Sequence, residues 1–518
     1  MNGADALIST LVANEVTACF ANPGTSEMQF VAALDREPAM RPVLCQFEGV
    51  ATGAADGYGR IAGTPACTLL HLGPGYGNGL ANLHNARRAF TPVVNVIGDH
   101  ATYHRQYDAP LNSDIPAIVA PNSLWVKSAD SPDAVAGLAA EAVAASFGPP
   151  GGPVSLILPA DSAWLETRNT TKGTEPVIAQ RQVRPAPASA AVEAAARALK
   201  AAKNPVVLIG GQACLAEGLV QAARLQAAGV TVYSDTFIAR TARGAGLFAP
   251  KRMQYFGEMA LAELEGVDLM VFAGTTTPVA FFAYPNRPSV LVPEGCATMT
   301  LAARAEDAAA GLAALADALG APREGPVQPL KLPDAMPTGK LNAYTAGAAI
   351  ARHMPEGAII CDDAVTSGAG VAAAAATARP HEVLALTGGA IGAGLPLAIG
   401  AAVAAPDHRV LSLNGDGAAM YTIQSLWTMA RENLDVTVVV FANYTYRILN
   451  VEMQRTGAGE AGASAKKLLE LGDPKIDFVA LATGMGVPAV RCDTAEAFDA
   501  AIAAAMAQRG PMFIEAVI

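Results

Sequence analysis

The sequence predicts an α/β protein of three consecutive parallel-sheet units. Three observations predict it. Short, continuous apolar runs recur along the chain, Ala- and Leu-rich helical patterns separate them, and two irregular stretches rich in Pro and polar residues cut the 518 residues into comparable blocks. Apolar strands that alternate with helices imply parallel sheets covered on both faces. At about 150 residues per domain, the length agrees with three or four units.

The elements follow in order. In the first block, 67–72 (CTLLHL) and 93–98 (VVNVIG) read as buried strands. In the second, 205–211 (PVVLIGG), 229–234 (GVTVYS) and 268–274 (DLMVFAG) do, after a helix over 189–203. In the third, 357–363 (GAIICDD), 409–415 (RVLSLNG) and 436–443 (VTVVVFAN) do, with a helix over 420–432. The breaks are 166–190, mixed in charge, Thr and Pro, and 319–340, which holds five prolines. Proline fixes φ and removes a donor, so such runs rarely lie inside regular elements. Residues 383–405 carry no charge and are long enough to span a membrane, yet they contain five glycines and Pro396. A buried strand, a glycine loop and a buried helix fit them better.

Composition excludes several classes. With 52% hydrophobic and 16% charged residues, the chain is not disordered. Its 35 Lys and Arg against 46 Asp and Glu give −11, which argues against a nucleic-acid partner. The seven cysteines form no CxxC and no zinc spacing, as expected for reduced thiols in a cytoplasm. No Lys or Arg precedes Arg36, so the basic start of a secretory signal is missing.

Two constellations carry chemistry. The apolar strand ending in Gly415-Asp416-Gly417 is followed by one helix pattern (421–432) and a second strand ending at Asn443. A right-handed crossover brings both strand ends to one sheet edge. Their oxygens suit Mg²⁺, which prefers hard donors shared with phosphate, and Gly417 lets backbone N–H groups approach an anion. An ordinary turn with a capping Asp would leave the same trace. In the first block, Glu48 ends an apolar run before a helix whose residues 49–55 are all small. A carboxylate there is expected to lose much of its water and could donate a proton; a helix-start Glu favoured by the dipole is the plainer alternative. His71 ends a strand before a glycine loop with Asn78, and Thr25 and Ser26 sit at another strand–loop tip. No nucleophile elbow is evident, so hydrolase chemistry is set aside. GAGEAG (457–462) matches a dinucleotide pattern by letter but follows no strand.

ANPGTSE (21–27), FEGVATGAADGYGR (47–60), HLGPGYGNG (71–79), GGAIGAGLP (388–396) and GDG with Asn443 occur in one order. Together they resemble the thiamine-diphosphate enzymes of the pyruvate oxidase/decarboxylase superfamily, benzoylformate decarboxylases and acetolactate synthase catalytic chains above all. The resemblance implies a pyrimidine-binding domain at 1–165, a central Rossmann-like domain at 185–320 and a diphosphate- and Mg-binding domain at 340–518. It implies that Glu48 contacts N1′ of the aminopyrimidine and that Asp416, Asn443 and the Thr445 carbonyl hold Mg²⁺. Ile391 matches the residue that bends the cofactor into a V. Gly388, Gly389, Gly415, Gly417 and Ala418 would run beside the cofactor, with Asn22, Pro23, Gly24, Asn78, Thr366, Tyr446 and Arg447 as further contacts. His71 matches an active-site histidine, and Thr25, beside Ser26, falls where a serine meets the substrate carboxylate.

The implied reaction is decarboxylation of a 2-oxo acid through a C2 carbanion and enamine, giving an aldehyde or a carboligation product. Acetolactate synthase-type ligation is the alternative; an inactive cofactor-binding homologue and a nicotinamide dehydrogenase are more distant ones. The implied assembly is a homodimer at minimum, with a homotetramer usual among relatives. Some relatives carry FAD on the middle domain; nothing in this sequence demands it. Three departures stand out. The second histidine of the benzoylformate decarboxylases has no counterpart in PVAFFAYP (278–285), Ala418 replaces a serine, and Arg447 replaces a glycine. Phe281, Phe282 or Tyr284 could line a pocket or pack a core. Part of 446–475 is expected to order over the cofactor.

Overall fold

The structure, a computed structural model, describes residues 1–168 and 176–518. The first sheet contains β1 (Ala18–Asn22), β2 (Arg41–Leu44), β3 (Ala66–Leu70), β4 (Val93–Asp99), β5 (Val126–Ser128) and β6 (Pro153–Pro159). They run parallel in the order β2-β1-β3-β4-β6-β5. The next strands are β7 (Pro205–Ile209), β8 (Thr231–Ser234), β9 (Arg240–Arg243), β10 (Lys251–Arg252), β11 (Leu269–Ala273) and β12 (Ala297–Ala302). All but β9 form a parallel sheet ordered β10-β8-β7-β11-β12. The last are β13 (Ala358–Asp363), β14 (His381–Ala385), β15 (Val410–Gly415), β16 (Val436–Ala442), β17 (Ala489–Cys492) and β18 (Met512–Val517). Their sheet reads β17-β18-β16-β15-β13-β14-β9, with β9 antiparallel at the edge. The fold is therefore mixed α/β with three mostly parallel sheets.

Of the first irregular stretch, 169–175 lie outside the described residues; 176–188 hold no helix or strand, and neither do 321–339. Residues 383–405 resolve into the end of β14, a loop and the buried helix Gly394–Ala404. Among the described residues no helix is long and apolar enough to cross a membrane. The helix expected over 420–432 is shorter. A turn at Asp416–Ala419 gives way to three-residue turns, and a helix resumes at Ser425–Arg431. Thr422 is the reason at this point, since its hydroxyl donates to the Gly392 carbonyl at 2.9 Å and draws the chain to the glycine loop.

Small residues let the outer layers share a core. Helix Glu48–Ala62 lies against helix Gly394–Ala404 so closely that a Cβ on Gly57 would stand 2.2 Å from the Leu397 carbonyl oxygen, and one on Gly400 1.9 Å from that of Ala54. The apolar cluster around them joins Val50, Ala54 and Leu83 of the first block to Leu395, Ile399 and Val438 of the third. Beside it Arg60, buried, holds Asp56 through two bonds of 2.8 and 2.6 Å. Its remaining donors reach the carbonyls of Ala239 and Ala385 and the Thr387 hydroxyl. One fully hydrogen-bonded guanidinium thus ties all three blocks, which is what a buried charge needs to be tolerated.

Candidate active site

In an open parallel sheet, ligands bind beyond the carboxyl ends of strands, where the strand order reverses. In the first sheet that point falls at β1, between β2 and β3. The loops leaving β1 and β3 meet there. The loop after β1 carries Asn22, Pro23 and Gly24, then a short 3₁₀ turn at Thr25–Glu27. His71 caps the helix Leu72–Ala89 that follows β3. Its Nδ1 lies 2.9 Å from Glu27 Oε2 and 3.3 Å from the Ser26 hydroxyl. Glu27, buried, also accepts the Gly24 N–H at 2.7 Å and the Ser26 hydroxyl at 2.9 Å. The packing leaves no room for substituents. A Cβ on Gly24 would stand 2.1 Å from the imidazole, and one on Gly98 1.7 Å from Glu27 Oε1. Thr25 is exposed on the turn and Ser26 is half-buried.

Glu48 begins helix Glu48–Ala62 and is buried, and its Oε2 accepts from Asn78 Nδ2 at 2.9 Å. Asn78 lies one turn before Asn82 on helix Leu72–Ala89, and Asn85 follows three residues later, so the three share a face. Asn82 donates to the Gly49 carbonyl at 2.8 Å. Asn85, fully buried, donates to Asn82 and to the Ala390 carbonyl, and accepts the Ala390 N–H. Its own carbonyl receives the Thr387 hydroxyl. His84 Nε2 lies 3.1 Å from the Gly388 carbonyl. The glycine loop with Gly388, Gly389 and Ile391 is therefore docked seven residues down the same helix from Asn78, about 10 Å at 1.5 Å per residue. Gly389, at φ +77°, faces Phe281, whose ring carbon would stand 2.4 Å from a Cβ. The loop's far end is held by Asp363, at the tip of β13, whose Oδ2 accepts N–H bonds from Gly392, Ala393 and Gly394 at 2.8, 2.9 and 3.2 Å.

The switch point of the third sheet lies at β13, between β14 and β15. Gly415 ends β15, and Asp416 opens the turn that holds Gly417 and Ala418. Asp416 Oδ1 accepts from the Gly417 N–H at 2.8 Å, and Oδ2 from those of Asn443 and Tyr444 at 3.0 and 2.5 Å. Burial pushes this carboxyl up from its ordinary value while the three N–H bonds pull it back. Asn443 Oδ1 accepts the Thr445 N–H at 3.0 Å. Tyr444 sits at φ +53°, with its amide held by Asp416 and its hydroxyl by the buried Glu515 at 2.6 Å. A non-glycine residue in that region persists only where its surroundings fix it. Tyr446 lies over Gly417, where a Cβ would stand 2.2 Å from its ring; a Cβ on Gly415 would meet nothing within 4 Å. Arg447 is exposed, opening helix Arg447–Arg455; Thr366 is exposed in the loop after β13.

Residues 446–475 fold as helices Arg447–Arg455 and Ala463–Leu469, with GAGEAG between them. Arg455 pairs with Glu258 at 2.7 and 2.9 Å and lies over the rings of Phe256 and Tyr284; Tyr284 also donates to Glu452. Tyr284 therefore pins this helix, whereas Phe281 abuts the glycine loop.

Oxygen donors dominate the third switch point: a carboxylate, an amide and the carbonyl groups of the loop after β16. No group of three His, Cys, Asp or Glu among the described residues is placed to hold a metal. That donor set, with open space at Gly415, fits a hard cation shared with an anion.

Comparison with known proteins agrees with this geometry. The N-terminal thiamine pyrophosphate binding domain of thiamine pyrophosphate enzymes matches residues 1–118, and the C-terminal one residues 363–516. A Mycobacterium tuberculosis protein provisionally named as an acetolactate synthase large subunit, IlvX, is 51% identical over 100% of this chain and 99% of its own. The benzoylformate decarboxylase of Pseudomonas aeruginosa is 29% identical over 96% of each chain. The solved thiamine diphosphate-dependent 4-hydroxybenzoylformate decarboxylase of Rhodococcus jostii RHA1 superposes with a TM-score of 0.87 over 99% of this chain and 98% of that one, at 24% identity. With cofactor-binding domains at both ends and a relative matched along its whole length, the chain belongs to the thiamine pyrophosphate enzymes.

Proposed function

We propose that the protein is a thiamine-diphosphate- and Mg²⁺-dependent lyase that decarboxylates a 2-oxo acid. The observation that carries the reading is the pairing of a buried acid, Glu48 held by Asn78, with an oxygen-donor site at Asp416 and Asn443 whose sheet position suits a diphosphate. When bound, thiamine diphosphate supplies an electron sink for loss of CO₂. The chain supplies the rest. Glu48, with Oε2 engaged by Asn78, would offer its Oε1 for proton exchange with the aminopyrimidine. Asp416, Asn443 and the Thr445 carbonyl hold Mg²⁺, and the bare edge at Gly415 admits the diphosphate. Ile391, on a loop docked on Asn85, would be a contact that holds the cofactor. His71, oriented by Glu27, moves a proton at its Nε2 after CO₂ is lost. Thr25 and Ser26 face the substrate carboxylate.

The active unit in this reading is at least a homodimer. In one chain Glu48 is held at Asn78 and the glycine loop at Asn85, about two turns apart on helix Leu72–Ala89, which supports completion of each site by a second copy.

Acetolactate synthase-type carboligation is the second reading, favoured by the 51% identical relative named for that activity. Release of CO₂ from a panel of 2-oxo acids, with thiamine diphosphate and Mg²⁺ present, tests the first. Silence across the panel with cofactor bound refutes it. With pyruvate, acetolactate as product selects the second reading and acetaldehyde the first.

A further inference from the structure

A buried acid of the third sheet has no part in the roles assigned so far. Glu515 lies on β18, in register with Val440 of β16 on one side and Arg491 of β17 on the other, and is fully buried. Its Oε2 accepts from Arg491 Nε at 2.7 Å, and its Oε1 from the Tyr444 hydroxyl at 2.6 Å. Arg491 also approaches Asp477, at 3.4 Å. A carboxylate withdrawn from water is costly unless it is paired and hydrogen-bonded. The guanidinium alone answers the charge. The second oxygen engages Tyr444, the residue between two proposed metal ligands, Asn443 and Thr445.

Tyr444 is bonded at every polar group. Its N–H goes to Asp416 Oδ2 at 2.5 Å, its carbonyl accepts the Leu471 N–H at 2.7 Å, and its hydroxyl goes to Glu515. Lys475 Nζ lies 4.2 Å from the centre of its ring. These tethers surround a backbone at φ +53°, a region that strains any residue with a Cβ. Successive N–H groups converge on one anion where the chain takes turned conformations of this kind. Here the amides of Asn443 and Tyr444 both reach Asp416 Oδ2. The conformation at Tyr444 therefore decides how the two sides of the metal site face each other.

We propose that Arg491, Glu515 and Tyr444 form a clamp that holds the left-handed turn at Tyr444, and that Glu515 and Tyr444 are thereby positioning residues for the Mg²⁺ site. This role rests on the assignment of Asp416, Asn443 and the Thr445 carbonyl as ligands. The clamp acts through the backbone. Arg491 fixes Glu515, Glu515 fixes the Tyr444 ring, and the ring keeps φ where Asn443 and Thr445 stand beside Asp416. Support of this kind behind a metal ligand is worth about 10–100-fold in affinity. A buried pair that served the fold alone would change stability when cut and leave cation affinity as it was.

Calorimetric titration of the full-length protein with Mg²⁺, in excess thiamine diphosphate, tests it. The readout is cation affinity, so a protein that releases no CO₂ still decides the matter. Tyr444→Phe removes only the hydroxyl and is expected to weaken Mg²⁺ about tenfold, and Glu515→Ala at least as much. The double variant should be no weaker than Glu515→Ala alone, because both changes break one bond. Tyr444→Ala and Tyr444→Gly isolate the backbone. Both lack the hydroxyl, but only glycine takes a positive φ freely. Tyr444→Gly is therefore expected to bind Mg²⁺ several-fold more tightly than Tyr444→Ala. Parent-like affinity in Tyr444→Phe, even with lowered stability in urea, would make the clamp a structural pair and overturn the proposal. So would additive losses in the double variant, or equal affinities of the glycine and alanine variants. Should Glu515→Ala not fold, the three substitutions at the half-buried Tyr444 decide by themselves. No cation uptake by the parent would overturn the metal assignment and the clamp together.

Discussion

The two outer switch points are built from different materials. At the first, side chains hold side chains: Glu27 grips His71 and Ser26, and Asn78 grips Glu48. At the third, the main chain holds a side chain: three peptide N–H groups converge on Asp416, and a fourth fixes Asn443. Side-chain pairs can exchange protons, since imidazole and carboxyl both titrate. Peptide N–H groups cannot; they offer a fixed field in which an anion and its cation keep one geometry. The first region is thus suited to moving protons and the third to holding charge still, and mutations should separate those roles.

The largest separation is expected at Glu48. Glu48→Gln keeps the size and the bond to Asn78 but cannot exchange the proton. Turnover is expected to fall by about 10²–10⁴, the usual range for a positioned acid. Calorimetric uptake of thiamine diphosphate with Mg²⁺ should change little. Unchanged turnover would remove Glu48 from the proton path. Asp416→Ala should show the reverse pattern. It deletes a proposed metal ligand and strands the N–H groups of Asn443 and Tyr444. Even groups that only support a metal ligand are worth about 10–100-fold in affinity, so Mg²⁺-dependent cofactor binding should weaken by at least that much. Wild-type affinity would show that the ion sits elsewhere.

What the sequence revealed divides along a physical line. Strand ends at Gly415 and Asn443, and the small-residue helix after Glu48, are local patterns whose burial follows from their own neighbours. Glu27 is different. It lies within the ANPGTSE run, yet its importance depends on Gly98 making room and on His71, forty-four residues away, arriving beside it. The Asn78, Asn82 and Asn85 spacing of four and three was a visible signal of one helix face, but its purpose appears only once the glycine loop docks there. The strand β9 gave no apolar run at all. RTAR alternates, as an edge strand facing water on one side does, and its antiparallel partner β14 is far along the chain. Periodicity reports which residues are buried locally; it carries no address for a partner in another block.

A smaller effect is expected from Glu27→Ala. It leaves His71 present but unheld, so kcat should fall by about tenfold, below the range for losing an acid–base group outright. KM should change less than kcat, because of the groups assigned to the substrate carboxylate only Ser26 loses a hydrogen-bond partner. A rise in KM with constant kcat would recast the cluster as a binding element.

The gentlest test concerns Asp363, which joins the two regions by holding the glycine loop at the edge of the third sheet. Burial raises its carboxyl from 3.8 to about 7, against the pull of three N–H bonds, and its Oδ1 has no partner among the described residues. In the window between those two values the folded protein keeps a proton that the unfolded chain has released. Stability falls with pH wherever the native state binds more protons, so this group's contribution is present below 3.8 and is lost as pH rises toward 7. Above that, the ionised carboxylate is a standing cost of the fold. Asp363→Asn is neutral throughout and keeps one oxygen for the three amides. Its stability relative to the parent, read from urea unfolding at about pH 5 and about pH 8, should therefore improve at the higher pH. A difference that stays constant between the two would mean that Asp363 is ionised in both, and that the loop is held by a charge rather than by a carboxylic acid.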